Sequence, residues 1–266
     1  MSERPQRHAV FGHPVSHSLS PAIHRRFGQQ TGIVLNYEAI DAPAERFAAE
    51  LDAFRAAGGG GANVTLPLKA LAFARCAQVS DYAARTGVVN TLEPLPDGGW
   101  RGHNTDGPGL VADLAQRHAQ DLRERDLLLL GAGVRSLTIA NRHAERADAL
   151  ADRIGQPGRV HVRYWNDLAD AGSWDFIINA TSAGVQGDAM DLPFAIVAPR
   201  ALCYDLSYGR AATAFLAWAR AARAAHAFDG LGMLVEQAAE AFAIWHGRRP
   251  DGDPVYTELR AQLDGA

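Results

Sequence analysis

Leu127-Leu128-Leu129-Leu130-Gly131-Ala132-Gly133 is the stretch that decides the fold. Four consecutive aliphatic residues closed by glycines read as a strand buried on both faces, the habit of parallel sheets covered by helices. Glycines at the end of such a strand let the backbone turn tightly and approach a phosphate. Further apolar strands are predicted at 137–140, 160–162, 176–179 and 202–206, most with helical stretches between them. That alternation predicts a doubly wound, Rossmann-like nucleotide-binding domain.

The chain ahead of it also alternates. A strand is predicted at 8–12 and a helix at 21–31, with Ser20 at its N-cap, Pro21 in its first turn and Gly32 beyond its end. A second strand at 35–40 is followed by a helix at 44–57, in which Phe47, Leu51 and Phe54 recur at helical spacing. Asn63-Val64-Thr65-Leu66-Pro67-Leu68-Lys69 is then a short apolar strand that stops at a proline, with a lysine just past the stop. Helical periodicity resumes up to Arg85. Strands at 88–95 and 100–102 flank the turn Pro96-Asp97-Gly98-Gly99 and lead to the polar loop His103-Asn104-Thr105-Asp106-Gly107. A helix is predicted at 109–118, and helices at 231–246 and 254–263 have no strand of their own. The expected class is α/β with two domains. Residues 1–105 form an α/β substrate domain, 106–230 the nucleotide-binding domain, and 231–266 are C-terminal helices.

With 266 residues, 47% hydrophobic and 21% charged, the composition is that of a globular protein with room for two modest cores. A net charge of −4 leaves no general basic face for nucleic acid or an anionic membrane. The N-terminal segment is polar, and no apolar run nears the roughly 20 residues that span a bilayer, so a cytoplasmic protein is expected. Cys76 and Cys203 sit in apolar runs and read as buried thiols. The ten histidines are scattered without metal-ligand spacing, so no metal site is expected.

Several residues carry chemistry. Ser18 and Ser20 stand at the mouth of a helix, where free N–H groups favour an anion and a small carboxylate would fit; Ser20 alone is also explained as a simple cap. Lys69 and Asp106 both follow strands. A lysine held by a carboxylate in a partly dry cleft can deliver the proton that a ketone needs when hydride reduces it, although a single lysine or aspartate is by default a solvated charge and Asp106 could be a helix N-cap. Gln237 interrupts the stripe Leu234, Ala238, Ala241 and Trp245, so its amide must bond a ligand or a neighbouring helix. Asn90 and Tyr208 stand at strand ends, where a turn explains them as well as a ligand does.

Taken together, Ser18-Leu19-Ser20-Pro21, the stretch from Asn63 to Lys69, Val89-Asn90-Thr91, Asn104-Thr105-Asp106-Gly107, Asn141-Arg142, Asn179-Ala180-Thr181-Ser182 and Gly230-Leu231-Gly232-Met233-Leu234-Val235-Glu236-Gln237 resemble the shikimate dehydrogenase family, in its order and through nearly the whole chain. The resemblance implies NADPH-dependent, reversible reduction of 3-dehydroshikimate to shikimate, on the route to chorismate and the aromatic amino acids, with Lys69 and Asp106 as the catalytic pair. It gives Ser18 and Ser20 the substrate carboxylate and sets Thr65, Lys69, Asn90, Asp106, Tyr208 and Gln237 around the ring. For NADP it implies Asp81, Gly131, Ala132, Gly133, Asn141, Arg142, His143, Thr181, Leu206 and Gly230, with Arg142 on the 2′-phosphate. It also returns the C-terminal helices to the substrate domain. The implied partner is the small-molecule substrate, and the implied assembly a monomer or homodimer.

Two features depart from the family pattern. His143 replaces the threonine of the family's Asn-Arg-Thr, so use of NAD or quinate is an alternative that rates with NAD and NADP on shikimate and quinate decide. More seriously, only Val134-Arg135-Ser136 separate the glycines from the strand at Leu137. Neighbouring parallel strands need a crossover of about a dozen residues or more. The first crossover helix of the nucleotide-binding domain is therefore missing from this sequence. A stretch lost from the sequence as written is the favoured account, because the rest of the domain is intact. A true deletion predicts a shikimate-binding protein with a damaged cofactor site, and intact mass separates the two.

Overall fold

The computed structural model describes residues 6–120, 127–130, 137–141, 143–155, 158, 160–181, 183–186 and 191–265. The chain divides into two compact units, residues 1–118 with 232–266 and residues 119–231.

The first unit begins β1 (Gln6–Gly12), α1 (Ser20–Thr31), β2 (Leu35–Asp41), α2 (Ala44–Ala56), β3 (Gly59–Val64) and α3 (Lys69–Arg75). It continues β4 (Gln78–Val79), α4 (Asp81–Thr86), β5 (Thr91–Pro94), β6 (Trp100–His103) and α5 (Asp106–Ala112), which runs into a π-helical turn at Asp113–Arg117. The sheet order is β2-β1-β3-β5-β6-β4. β2, β1 and β3 are parallel, and β5 runs antiparallel to β3 and β6. The single helix expected between Lys69 and Arg85 is two helices: Cys76 is extended, β4 pairs with β6, and the Ser80 hydroxyl accepts from Ala83 N to start α4. Long-range pairing overrides the local periodicity there.

Alternation along β1 decides what each face of this sheet holds. Ala9 and Phe11 join Phe47, Leu51 and Phe54 of α2 in one core, with Phe11 edge-on to Phe47 and Phe54. His8 and Val10 face the other way, among Tyr37, Trp245 and the aromatic face of α1. The glycines of β3 serve both faces. A Cβ on Gly59 would stand 2.3 Å from the Phe54 ring, and one on Gly61 2.5 Å from Trp245.

The second unit holds β7 (Leu127–Leu130), β8 (Leu137–Asn141), α6 (Ala144–Ile154), β9 (Val160–Tyr164), β10 (Trp174–Asn179), α7 (Ala183–Gln186), β11 (Val197–Asp205), α8 (Thr213–Ala221) and β12 (His226–Phe228). All pairings are parallel, in the order β12-β11-β10-β7-β8-β9. The three-residue β12 carries too little periodicity to be foreseen. α9 (Leu231–His246) and α10 (Asp253–Asp264) follow and, from Gly232 on, belong to the first unit. Arg117 fastens them there: it bonds Asp113, Glu236 at 2.8 Å and Asp253 at 2.6 Å, and lies over the Tyr256 ring. Both cysteines are free, and Cys76 is only half-buried, against the expectation. Among the described residues no helix is long and apolar enough to cross a membrane, and no cluster could hold a metal ion.

Candidate active site

Lys69 opens α3 just beyond the end of β3. Thr65 N still donates to Phe11 O (2.8 Å) and Leu68 N turns back to Thr65 O (2.9 Å), so the chain reaches Lys69 through a fixed turn. Asp106 opens α5, with its own N–H held by Asn104 Oδ1 at 3.1 Å. The cap position falls on Thr105, and no side chain caps there, so helix capping does not account for Asp106. Its carboxylate instead accepts from Lys69 Nζ at 2.6 Å through Oδ2 and from Asn90 Nδ2 at 2.8 Å through Oδ1. The two side chains are 24% and 27% exposed, open to a small molecule yet partly shielded from water. The ion pair therefore does little for stability. What it supplies is an oriented ammonium.

Asn90 is buried. Its Oδ1 accepts from Thr105 N and Thr91 Oγ1, both at 2.9 Å, which leaves Nδ2 to face Asp106 and Thr105 Oγ1. Gln237 comes from α9 into the same group: its Nε2 donates to Leu234 O (2.8 Å), and its Oε1 receives Thr105 Oγ1 at 3.4 Å and Asn90 Nδ2 at 3.5 Å. The amide that interrupts the apolar stripe of α9 thus meets Asn90, just ahead of β5, and Thr105, just ahead of α5.

Ser20 is the first residue of α1 and makes no capping bond with its side chain; the N-cap is Leu19. Ser18 Oγ receives Ser20 N at 3.3 Å. The cap role expected of Ser20 thus fails, although the residue is buried at the start of the helix. The first unit accordingly carries Ser18, Ser20, Thr65, Lys69, Asn90, Asp106 and Gln237. Tyr208 stands in the second unit, just ahead of a 3-10 turn at Gly209–Ala212. Asp81 is an exposed residue at the start of α4 in the first unit.

In the second unit the strand order reverses between β7 and β10, and the crevice beyond the carboxyl ends of such strands is where dinucleotides bind. Thr181 follows β10, with its N–H and hydroxyl both on Asn179 Oδ1 (3.1 and 2.8 Å). Leu206 and Gly230 are neighbours beyond β11 and β12: a Cβ on Gly230 would stand 2.3 Å from Leu206 O. Asn141 closes β8, its Oδ1 accepting from the exposed His143 N at 3.0 Å. Gly131, Ala132, Gly133 and Arg142 lie outside the described residues, as does Ser182. Burial raises the carboxyl of Asp205, at the end of β11, above the usual range, against opposing bonds from Ser207 and Asn179. The strand order and these strand ends fit a dinucleotide. The link from β7 to its parallel neighbour β8, residues 131–136 only, does not match the usual crossover.

Sequence reasoning passed over Thr91 and Thr105, which stand inside the quoted motifs and could have been found as hydroxyls beside Asn90. Tyr37 and the hydrogen-bonding role of Asn63 gave no local signal at all.

Family models described as the shikimate dehydrogenase substrate binding domain and the shikimate 5'-dehydrogenase C-terminal domain match residues 10–92 and 230–260. The chain is 56% identical to the shikimate dehydrogenase (NADP(+)) of Xanthomonas campestris pv. campestris (strain 8004) and 52% identical to that of Xylella fastidiosa (strain Temecula1 / ATCC 700964), each over 96% of both chains. Both alignments run over 272 positions, more than the 266 residues present, so these relatives carry residues that have no counterpart here. The crystal structure of shikimate 5-dehydrogenase from Thermus thermophilus in complex with NADP(H) and shikimate superposes with a TM-score of 0.84 at 34% identity, covering 97% of this chain and 100% of that one. The chain belongs to the shikimate dehydrogenase family.

Proposed function

We propose that this protein catalyses the reversible, NADP-dependent interconversion of 3-dehydroshikimate and shikimate. The observation that carries the assignment is the Lys69–Asp106 pair at 2.6 Å, held by Asn90 and bordered by Gln237. Reducing a ketone adds hydride to the carbonyl carbon and a proton to its oxygen. Lys69 donates a hydrogen bond to that oxygen, stabilises the developing alkoxide and gives it the proton; in the oxidative direction its neutral amine takes the hydroxyl proton back. Asp106, with one oxygen on Asn90, keeps the Lys69 amino group aimed. Ser18 and Ser20 bind the carboxylate, and Thr65, Asn90 and Gln237 take the ring hydroxyls. Asn141, Thr181, Leu206 and Gly230 would hold NADP, which when bound supplies or accepts the hydride. The protein works in the cytoplasm as a monomer or homodimer.

The test is NADPH absorbance with 3-dehydroshikimate: the wild-type chain oxidises NADPH, and Lys69→Ala lowers turnover by roughly 10²–10⁴-fold. Absence of NADPH oxidation by the intact chain refutes the assignment. The short β7–β8 link favours a second reading, a shikimate-binding protein with an impaired cofactor site. Calorimetry then shows shikimate binding without NADP binding, and measurable NADP affinity excludes it.

A further inference from the structure

We propose that Tyr37 and Asn63 are positioning residues that fix the orientation of Asp106 through an ordered chain of buried hydrogen bonds. The role of Asp106 in this proposal is the one assigned above. Tyr37 lies on β2 and Asn63 on β3, with β1 between them in the sheet. The Tyr37 hydroxyl donates to Asn63 Oδ1 at 2.7 Å. Asn63 Nδ2 donates to Asn90 O at 3.1 Å and Thr91 Oγ1 at 3.0 Å. Thr91 Oγ1 passes its own proton to Asn90 Oδ1 at 2.9 Å, and Asn90 Nδ2 reaches Asp106 Oδ1 at 2.8 Å.

Only one proton order satisfies this chain. The Asn90 carbonyl can only accept, so Asn63 must turn its NH₂ toward it and its Oδ1 toward Tyr37. The phenol must then donate. Thr91 receives from Asn63, so its single proton goes onward, to Asn90 Oδ1 at 2.9 Å in preference to Thr105 Oγ1 at 3.5 Å, and Asn90, whose Oδ1 also accepts from Thr105 N, offers an N–H to Asp106. Tyr37, Asn63, Asn90 and Thr91 are all buried, so no water competes for these partners. The Tyr37 ring is held flat against His24, with centroids 4.3 Å apart and planes within 6°. Removing the phenol proton leaves the buried Asn63 Oδ1 without its donor, so the Asn63 amide shifts and its bonds to Asn90 O and Thr91 Oγ1 weaken. The Asn90 amide is then held less firmly, and the Lys69–Asp106 geometry loosens.

Tyr37→Phe removes only the hydroxyl and keeps the ring on His24. Turnover is expected to fall about tenfold, the worth of one buried hydrogen bond, with KM for shikimate changed less than about threefold. Thr91→Val is expected to act in the same way, and the double variant to be no worse than the poorer single one. Turnover within twofold of wild type in either variant, a loss confined to KM, or additive losses in the double variant would overturn the proposal. Should Tyr37→Phe fail to fold, Thr91→Val alone decides on the same criteria. Independently of turnover, the Thr105 amide, which donates to Asn90 Oδ1, is expected to lose at least about tenfold of its hydrogen-exchange protection in Thr91→Val. Unchanged protection counts against the chain, whereas a wild-type protein that binds neither shikimate nor NADP counts against the assigned reaction instead.

Discussion

Acidification is expected to weaken the first unit through its buried histidines, and His8 sets the scale. Its ring packs 4.7 Å from Trp245 and 5.1 Å from His246. Burial pushes its pKa down to about 4 from an ordinary 6.5, His246 adds to the effect, and the Gln6 backbone offsets it only in part. A base whose folded pKa is lowered takes up its proton more readily when unfolded. The stability it confers is therefore complete above pH 6.5 and is lost as the pH falls toward 4. The difference of 2.5 units corresponds to about 3 kcal/mol at pH 4 and about 2 kcal/mol at pH 5. Burial also lowers the pKa of His24 and His246, so both act in the same direction. For a unit of roughly 150 residues, His8 alone is expected to lower the melting temperature by about 4–8 °C between pH 7.5 and pH 5. Calorimetric melting of the wild type and of His8→Leu at the two pH values measures this, because the leucine variant is expected to lose less. Equal losses in the two proteins, or an NMR titration placing His8 at or above pH 6, would refute it.

Three further outcomes are expected. Gly109→Ala puts a Cβ 2.7 Å from the backbone N of Gln237, so α9 is pushed away from Asn90; steady-state kinetics should show KM for shikimate raised several-fold, with a stability loss of about 1–3 kcal/mol. Arg117→Ala takes one charged partner from the buried carboxylates of Asp113 and Glu236 while Arg249 still holds Glu236, and urea unfolding should show the first unit weakened by about 1.5–3 kcal/mol. Inserting a helix-forming crossover of about a dozen residues after Gly133 should tighten NADPH binding about 10²-fold or more, measured by fluorescence titration, because a helix N-terminus restores charge-assisted donors to the pyrophosphate; no gain would show that the short link is harmless.

Much of the fold was legible because its signals are local. The quartet Leu127–Leu130, the spacing of Phe47, Leu51 and Phe54, and the limits of α9 follow from side-chain periodicity, which neighbours in the chain determine by themselves. β4 and β12 were not legible, since strands of two and three residues exist only through the strands they pair with. The candidate site residues show the same division. Lys69, Asp106 and Ser20 could be picked out by residue type and place, but capping explained Asp106 and Ser20 equally well until the structure left both side chains without a capping bond.

By itself the sequence determined the α/β class in two domains and singled out Lys69 and Asp106 as candidates for proton transfer, because strand ends and their polar loops are written contiguously. It also determined that only residues 131–136 join β7 to β8, a matter of chain length alone. Tertiary structure decided which partners those residues meet. Lys69 reaches Asp106 across 37 residues, Tyr37 reaches Asn63 across 26, and Gln237 reaches Asn90 across 147. Sheet register and helix packing bring such groups together, and burial leaves each donor and acceptor only the partner it finds there.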